Sequence, residues 1–111
     1  MIANIEAENV VLAAMLIDSK MIDRVADLVS PEDFSDPMVA RMFLATRDSY
    51  FAGKACSGVA LNGMFKDDEA YQKAGGFGYI AKLTESSVAL IGATDLAKQV
   101  ADLARRRRVV E

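Results

Sequence analysis

Few side chains in this sequence could do chemistry, and their types limit what that chemistry could be. Four consecutive arginines, Arg105–Arg108, form the strongest local charge. They could touch the phosphates of a nucleic acid. Two other readings stand beside that one. A basic final turn is favoured by the helix dipole. Four consecutive residues also wrap a helix, so some of them must face a neighbouring protein. Glu6, Glu8, Glu32 and Asp33 could supply a carboxylate site, but all four fall near helix starts, where acids cap and complement the dipole. Asp67, Asp68 and Glu69 lack the spacing of a calcium loop and read as a solvated turn. Gly75-Gly76-Phe77-Gly78 could cradle a phosphate, yet no Lys-Thr or Lys-Ser follows and no strand precedes it. It reads as a helix stop followed by a helix start. Cys56 has no histidine to activate it and reads as a small apolar filler.

The totals narrow the field further. The chain has 111 residues, no histidine and one cysteine. The commonest general base and metal ligand are therefore missing. A single cysteine cannot form an intrachain disulfide, and a reducing compartment is the natural reading. The net charge of −3 argues against bulk nucleic-acid binding. The start, MIANIEAE, lacks the basic segment of a secretory signal. The longest apolar run, Val10–Ile17, is too short to span a membrane. These features predict a cytoplasmic domain with no catalytic residue, no cofactor-binding residue and no metal ligand of its own.

The elements that would carry these residues are helices. Apolar residues make up 52% of the chain. They recur at helical spacing, and strand alternation is nowhere sustained. A first helix is expected over Ile5–Ile17, capped by Asn4. Its middle, VVLAAMLI, is apolar on nearly every side, as in a helix surrounded by others. A second carries Met21, Ile22, Val25, Leu28 and Val29 on one face. The stretch SPEDFSDP (30–37) holds two helix starts. Ser30 with Pro31 begins one turn, and Asp36 with Pro37 begins a longer helix to about Phe51. Pro37 keeps Asp36 out of helical geometry, so the two cannot merge. Phe34 is left between them and should point inward. Gly53 should close the third helix as a left-handed cap.

Beyond it, Ser57 could cap a short helix with Leu61, Met64 and Phe65. A brief turn ends at Gly75-Gly76, and a helix follows over Phe77 to about Ser86. Residues 87–92 read as a loop. The last helix, about Ala93–Val110, places Leu96, Val100, Leu103, Arg107 and Val110 on one stripe. Ala93, Ala97, Ala101 and Ala104 form a small-residue edge beside it, where a partner helix could approach closely. Met15, Met21, Met38, Met42 and Met64 read as core fill. The pattern stops abruptly after RRRRVVE, which predicts a longer parent protein.

In chain order these segments resemble the N-terminal domain of DnaB-type replicative helicases. EAENVVLAAMLID (6–18) resembles its opening helix, and SPEDFSDP its Pro-Glu-Asp-Phe segment. Phe43 falls where the family keeps an aromatic. AGGFGYIAKL (74–83) resembles its Gly-Gly stretch, and Arg107-Arg108-Val109-Val110 its basic-then-apolar close. Val39, Ser57 and Leu96 depart from the usual His, Asp and Tyr, and the proline usual before the last helix is missing. These departures bear on surface recognition rather than on the fold.

The resemblance implies an all-α fold: a small globular helical bundle (to about residue 74) followed by a C-terminal helical hairpin (about 77–110). It implies that two such domains pair through their hairpins and that three pairs build a collar on a hexamer. Phe77, Ile80, Leu83, Leu96, Val100, Leu103, Arg107 and Val110 are the expected protein interface. Arg105, Arg106 and Arg108 remain for weak or indirect contact with DNA. The implied partners are a second copy, a primase, the helicase motor domain and a helicase loader. ATP and magnesium would belong to that motor domain, not to this chain. Two other readings are a helicase-binding domain of a primase and a small helical DNA-binding regulator using Arg105–Arg108.

Overall fold

Among the described residues, seven α-helices and one short 3-10 turn account for the architecture, and no strand occurs. The computed structural model describes residues 4–85 and 89–110. The helices are α1 (Ile5–Ile17), α2 (Met21–Leu28), α3 (Pro37–Phe51), α4 (Gly58–Phe65), α5 (Glu69–Lys73), α6 (Phe77–Thr84) and α7 (Ala89–Val110), with the 3-10 turn Pro31–Asp33 between α2 and α3.

Local chemistry sets most of the boundaries. The side chain of Asn4 accepts the Ala7 N–H at 3.0 Å and starts α1. Asp36 accepts the Met38 N–H at 2.9 Å, with Pro37 at the first helical position of α3. Ser57 accepts the Ala60 N–H at 3.2 Å to start α4. Asp68 accepts the Tyr71 N–H at 3.1 Å to start α5. At the end of α3, Gly53 has φ +73°, its N–H donates to the Tyr50 carbonyl, and the Lys54 N–H reaches back to the Ser49 carbonyl. This pair of bonds absorbs two orphan carbonyls and turns the chain away.

Helix α1 is the centre of the molecule. Val11, Leu12, Ala14 and Met15 are fully buried. The helix packs on α7, α6, α3 and α2, which accounts for its apolar character all round. Its most extensive contact is with α7, whose buried face is Ala93, Ala97, Val100 and Ala104. The small-residue edge expected on the last helix is thus occupied by α1 of the same chain. Helix α6 also packs on α1 and on α4. The C-terminal pair of helices is therefore built into the bundle rather than standing away from it. Residues 86–88, including the expected loop residue Ser87, lie outside the described residues.

Two expectations require correction. Helix α7 begins by Ala89, so residues 89–92 continue the helix instead of forming a loop, and Gly92 is accommodated inside it. The propensity cost of one glycine is small beside the packing of a long helix. Met64 is half-exposed rather than core fill, whereas Met15, Met38 and Met42 are buried as expected.

The double helix start at residues 30–37 forms a corner. Phe34 is buried and packs on Phe43 of α3, with ring centroids 4.9 Å apart. The first start lasts a single 3-10 turn, in which the Asp33 N–H donates to the Ser30 carbonyl at 2.9 Å. The Asp33 carboxylate in turn accepts the Ser30 N–H at 2.9 Å. The second start launches α3.

Candidate functional site

The structure divides the predicted interface residues between inside and outside. Ile80 and Val100 are each 2% exposed and belong to the chain's own core, so neither lies on an open stripe. The physical reason is α1, whose apolar surface on every side takes up both helices. Leu83, Leu96 and Leu103 are half-buried, the first two packed against the core edge. Phe77 stands out at 47% exposed. The side chain of Val110 lies outside those described. On α6 the exposed positions Phe77, Gly78, Ala81, Lys82 and Glu85 share one face, apolar at its N-terminal end.

The basic turn is tied down within the chain. Arg105 and Arg106 both reach Asp102, each at 3.2 Å. Arg107 is half-buried and donates to the Asp33 backbone carbonyl at 2.8 Å. Arg108 pairs with the Asp33 carboxylate. Each arginine offered for DNA contact thus already faces a carboxylate.

The carboxylates that sequence position assigns to capping include two that do more. Glu8 is 1% exposed. It accepts the Ser35 N–H at 2.9 Å, the Ser35 hydroxyl at 2.6 Å and the Asp36 N–H at 3.2 Å. Three donors satisfy its charge without a cation. Asp33 is also buried. Their partners lie 27 and 75 residues away in the chain. The one local hint for Glu8 is its place one turn before the apolar middle of α1.

A second charged group borders an open hollow lined by Arg41, Asp68, Glu69, Ala70 and Lys73. Arg41 pairs with Asp68 and sits 5.6 Å from the centroid of the Phe65 ring. Lys73 pairs with Glu69 at 3.0 Å. Hydrogen bonding to Arg41, supported by backbone N–H groups, holds the Asp68 carboxyl down to about 2. The charges cancel in pairs, and the hollow has the chemistry of a solvated surface.

The glycines of the 75–78 stretch form a turn. Gly75 and Gly76 both have positive φ, and the Gly76 N–H returns to the Tyr71 carbonyl at 2.9 Å, closing α5. Cys56 packs against the core edge. Among the described residues, no group of three or more His, Cys, Asp or Glu could hold a metal ion, and no helix is long and apolar enough to cross a membrane. Every buried side-chain nitrogen and oxygen described has a hydrogen-bond partner.

The remaining surface feature is apolar exposure. Leu44 and Phe51 lie seven residues apart on the outer side of α3, 37% and 60% exposed. Val59 and Met64 on α4 are 71% and 50% exposed.

Comparison with known proteins places these features in a family. The family model described as the DnaB-like helicase N-terminal domain matches residues 1–102. The replicative DNA helicase DnaB of Rickettsia conorii is 28% identical over 108 residues, covering 97% of this chain and 22% of that protein. Its counterpart in Treponema pallidum is 27% identical over 108 residues, with 25% of its length covered. This chain therefore spans about a quarter or less of these relatives. The crystal structure of the N-terminal domain of DnaB helicase from Mycobacterium tuberculosis superposes with a TM-score of 0.87 at 27% identity. That match covers 98% of this chain and 79% of the other. The all-α bundle, the order of its motifs and the family match over residues 1–102 agree, and the chain belongs to the DnaB-like helicase N-terminal domain family.

Proposed function

We propose that this domain acts without reactive groups of its own, as the assembly and docking part of a replicative DNA helicase. The observation that carries the reading is the family match, which runs through nearly the whole chain. In this reading the domain works in the cytoplasm, in DNA replication and primosome formation. It associates with further copies of itself, building toward a hexameric collar, and it docks primase, the motor domain and a helicase loader. ATP and magnesium are handled by the motor domain. The exposed end of α6 at Phe77, together with the half-buried Leu83, Leu96 and Leu103, forms the self-association surface. An exposed aromatic is the kind of side chain that a partner covers. DNA contact through Arg105, Arg106 and Arg108 is weak, because each gains a phosphate only by leaving a carboxylate.

Sedimentation of the domain across the micromolar range tests the self-association. The expected result is a concentration-dependent shift above the monomer, lost in Phe77→Glu while the circular dichroism stays helical. Retention of the cognate primase on the immobilised domain tests docking. A strict monomer that also retains no primase would overturn the proposal.

A further inference from the structure

We infer that the last turn of α7 is a charge-held clasp on the 30–37 corner, able to open while the rest of the fold stays closed. Among the described side chains of α7, buried apolar residues stop at Ala104. Helix α7 is held against α1 through Ala93, Ala97, Val100 and Ala104. From Arg105 to Val109 no side chain is buried, and Val109 is 87% exposed. The contacts this stretch makes with Asp33 are polar. Arg107 donates to the Asp33 carbonyl at 2.8 Å, and Arg108 pairs with the carboxylate of the same residue. Arg105 and Arg106 turn the other way, to Asp102 of their own helix.

The two sides of the clasp differ in rigidity. Asp33 is buried, and its carboxylate also holds the Ser30 N–H at 2.9 Å, so the corner keeps its shape when an arginine leaves. The Arg108 side chain is 55% exposed and returns readily to water. Ion pairs of this kind are screened by salt, whereas the alanine contact with α1 is not. The fold therefore contains a helix end whose attachment answers to ionic conditions.

Amide hydrogen exchange along α7 tests this in the whole chain. In Arg107→Gln with Arg108→Gln, the amides of residues 105–109 should exchange about tenfold faster or more, with residues 93–104 unchanged. Arg108→Lys, which keeps the charge, should recover part of the protection. Asp102→Asn breaks only the outward pairs and should leave protection by the corner intact. Rising sodium chloride should move the unsubstituted chain toward the double variant. If the double variant fails to fold, Arg108→Gln alone carries the same expectation at smaller amplitude. Unchanged protection at residues 105–109 would overturn the inference. So would a loss spread equally over residues 93–104, because the end would then open only with the whole helix.

Discussion

Glu8 on α1 grips Ser35 twice, through the backbone N–H at 2.9 Å and the hydroxyl at 2.6 Å. A third bond from the Asp36 N–H, at 3.2 Å, ties the same carboxylate to the start of α3. A buried acid on the central helix thus fixes the corner from which α3 departs. Replacing it with alanine leaves two backbone donors and a hydroxyl without their acceptor. The expected cost is about 2–3 kcal/mol, against about 1 kcal/mol for Glu8→Gln, which keeps one acceptor. Urea denaturation of the two variants beside the parent measures both.

Two glycines of α4 should respond to alanine with opposite signs. A Cβ at Gly58 would stand 2.8 Å from Cγ2 of Ile80, a buried branched side chain at the contact between α4 and α6. Gly58→Ala should destabilise by about 1 kcal/mol, because the steric cost exceeds the gain in helix propensity. Gly63 has open space around its Cβ position. Gly63→Ala should stabilise by about 0.5–1 kcal/mol through lost freedom in the unfolded chain. Thermal melts of both variants show whether the signs differ.

The Asp68 carboxyl beside Arg41 titrates at about 2 instead of its ordinary 3.8. The folded chain therefore binds fewer protons at this group than the unfolded chain does. Its stabilising contribution is complete above 3.8 and is lost as pH falls through about 2. Carboxyl shifts followed by NMR should place the Asp68 midpoint near the lower value. Arg41→Gln should move that midpoint upward, since the guanidinium is the largest cause.

Tyr79 gives the matching effect in alkali. Burial, with a smaller push from Asp36, raises its hydroxyl to about 12. The unfolded tyrosine ionises near its ordinary 10, so stability from this group is full below 10 and falls as pH rises toward 12. Its hydroxyl donates to the Asn9 side chain at 3.0 Å. Tyr79→Phe should lose about 1 kcal/mol at neutral pH and flatten the alkaline decline. Denaturation midpoints at several pH values would record both changes.

Helix limits were legible because caps are local. Asn4, Asp36, Ser57 and Gly53 each act within a few residues of themselves, and each sits where the sequence predicts. The inward turn of Phe34 was legible for the same reason. The buried roles of Glu8 and Asp33 were not, because their partners are 27 and 75 residues distant. Near a helix start, a capping acid and a buried bridging acid look alike in sequence. On the last helix Val100 joins the chain's own core, while Leu96 and Leu103 stay half-buried. Periodicity identifies a face that must be covered and says nothing about which helix covers it.

Among the described side chains, the buried side of α7 is a smooth alanine track with Val100 as its large tooth. Alanines have almost no rotamer entropy to lose, so α7 and α1 meet at little cost. A smooth track resists sliding poorly, however. The lengthwise setting of α7 then rests on that valine and on Leu96 at the core edge. A bulky residue at Ala97 would lift the rail from its bed and draw the neighbouring Val100 out with it.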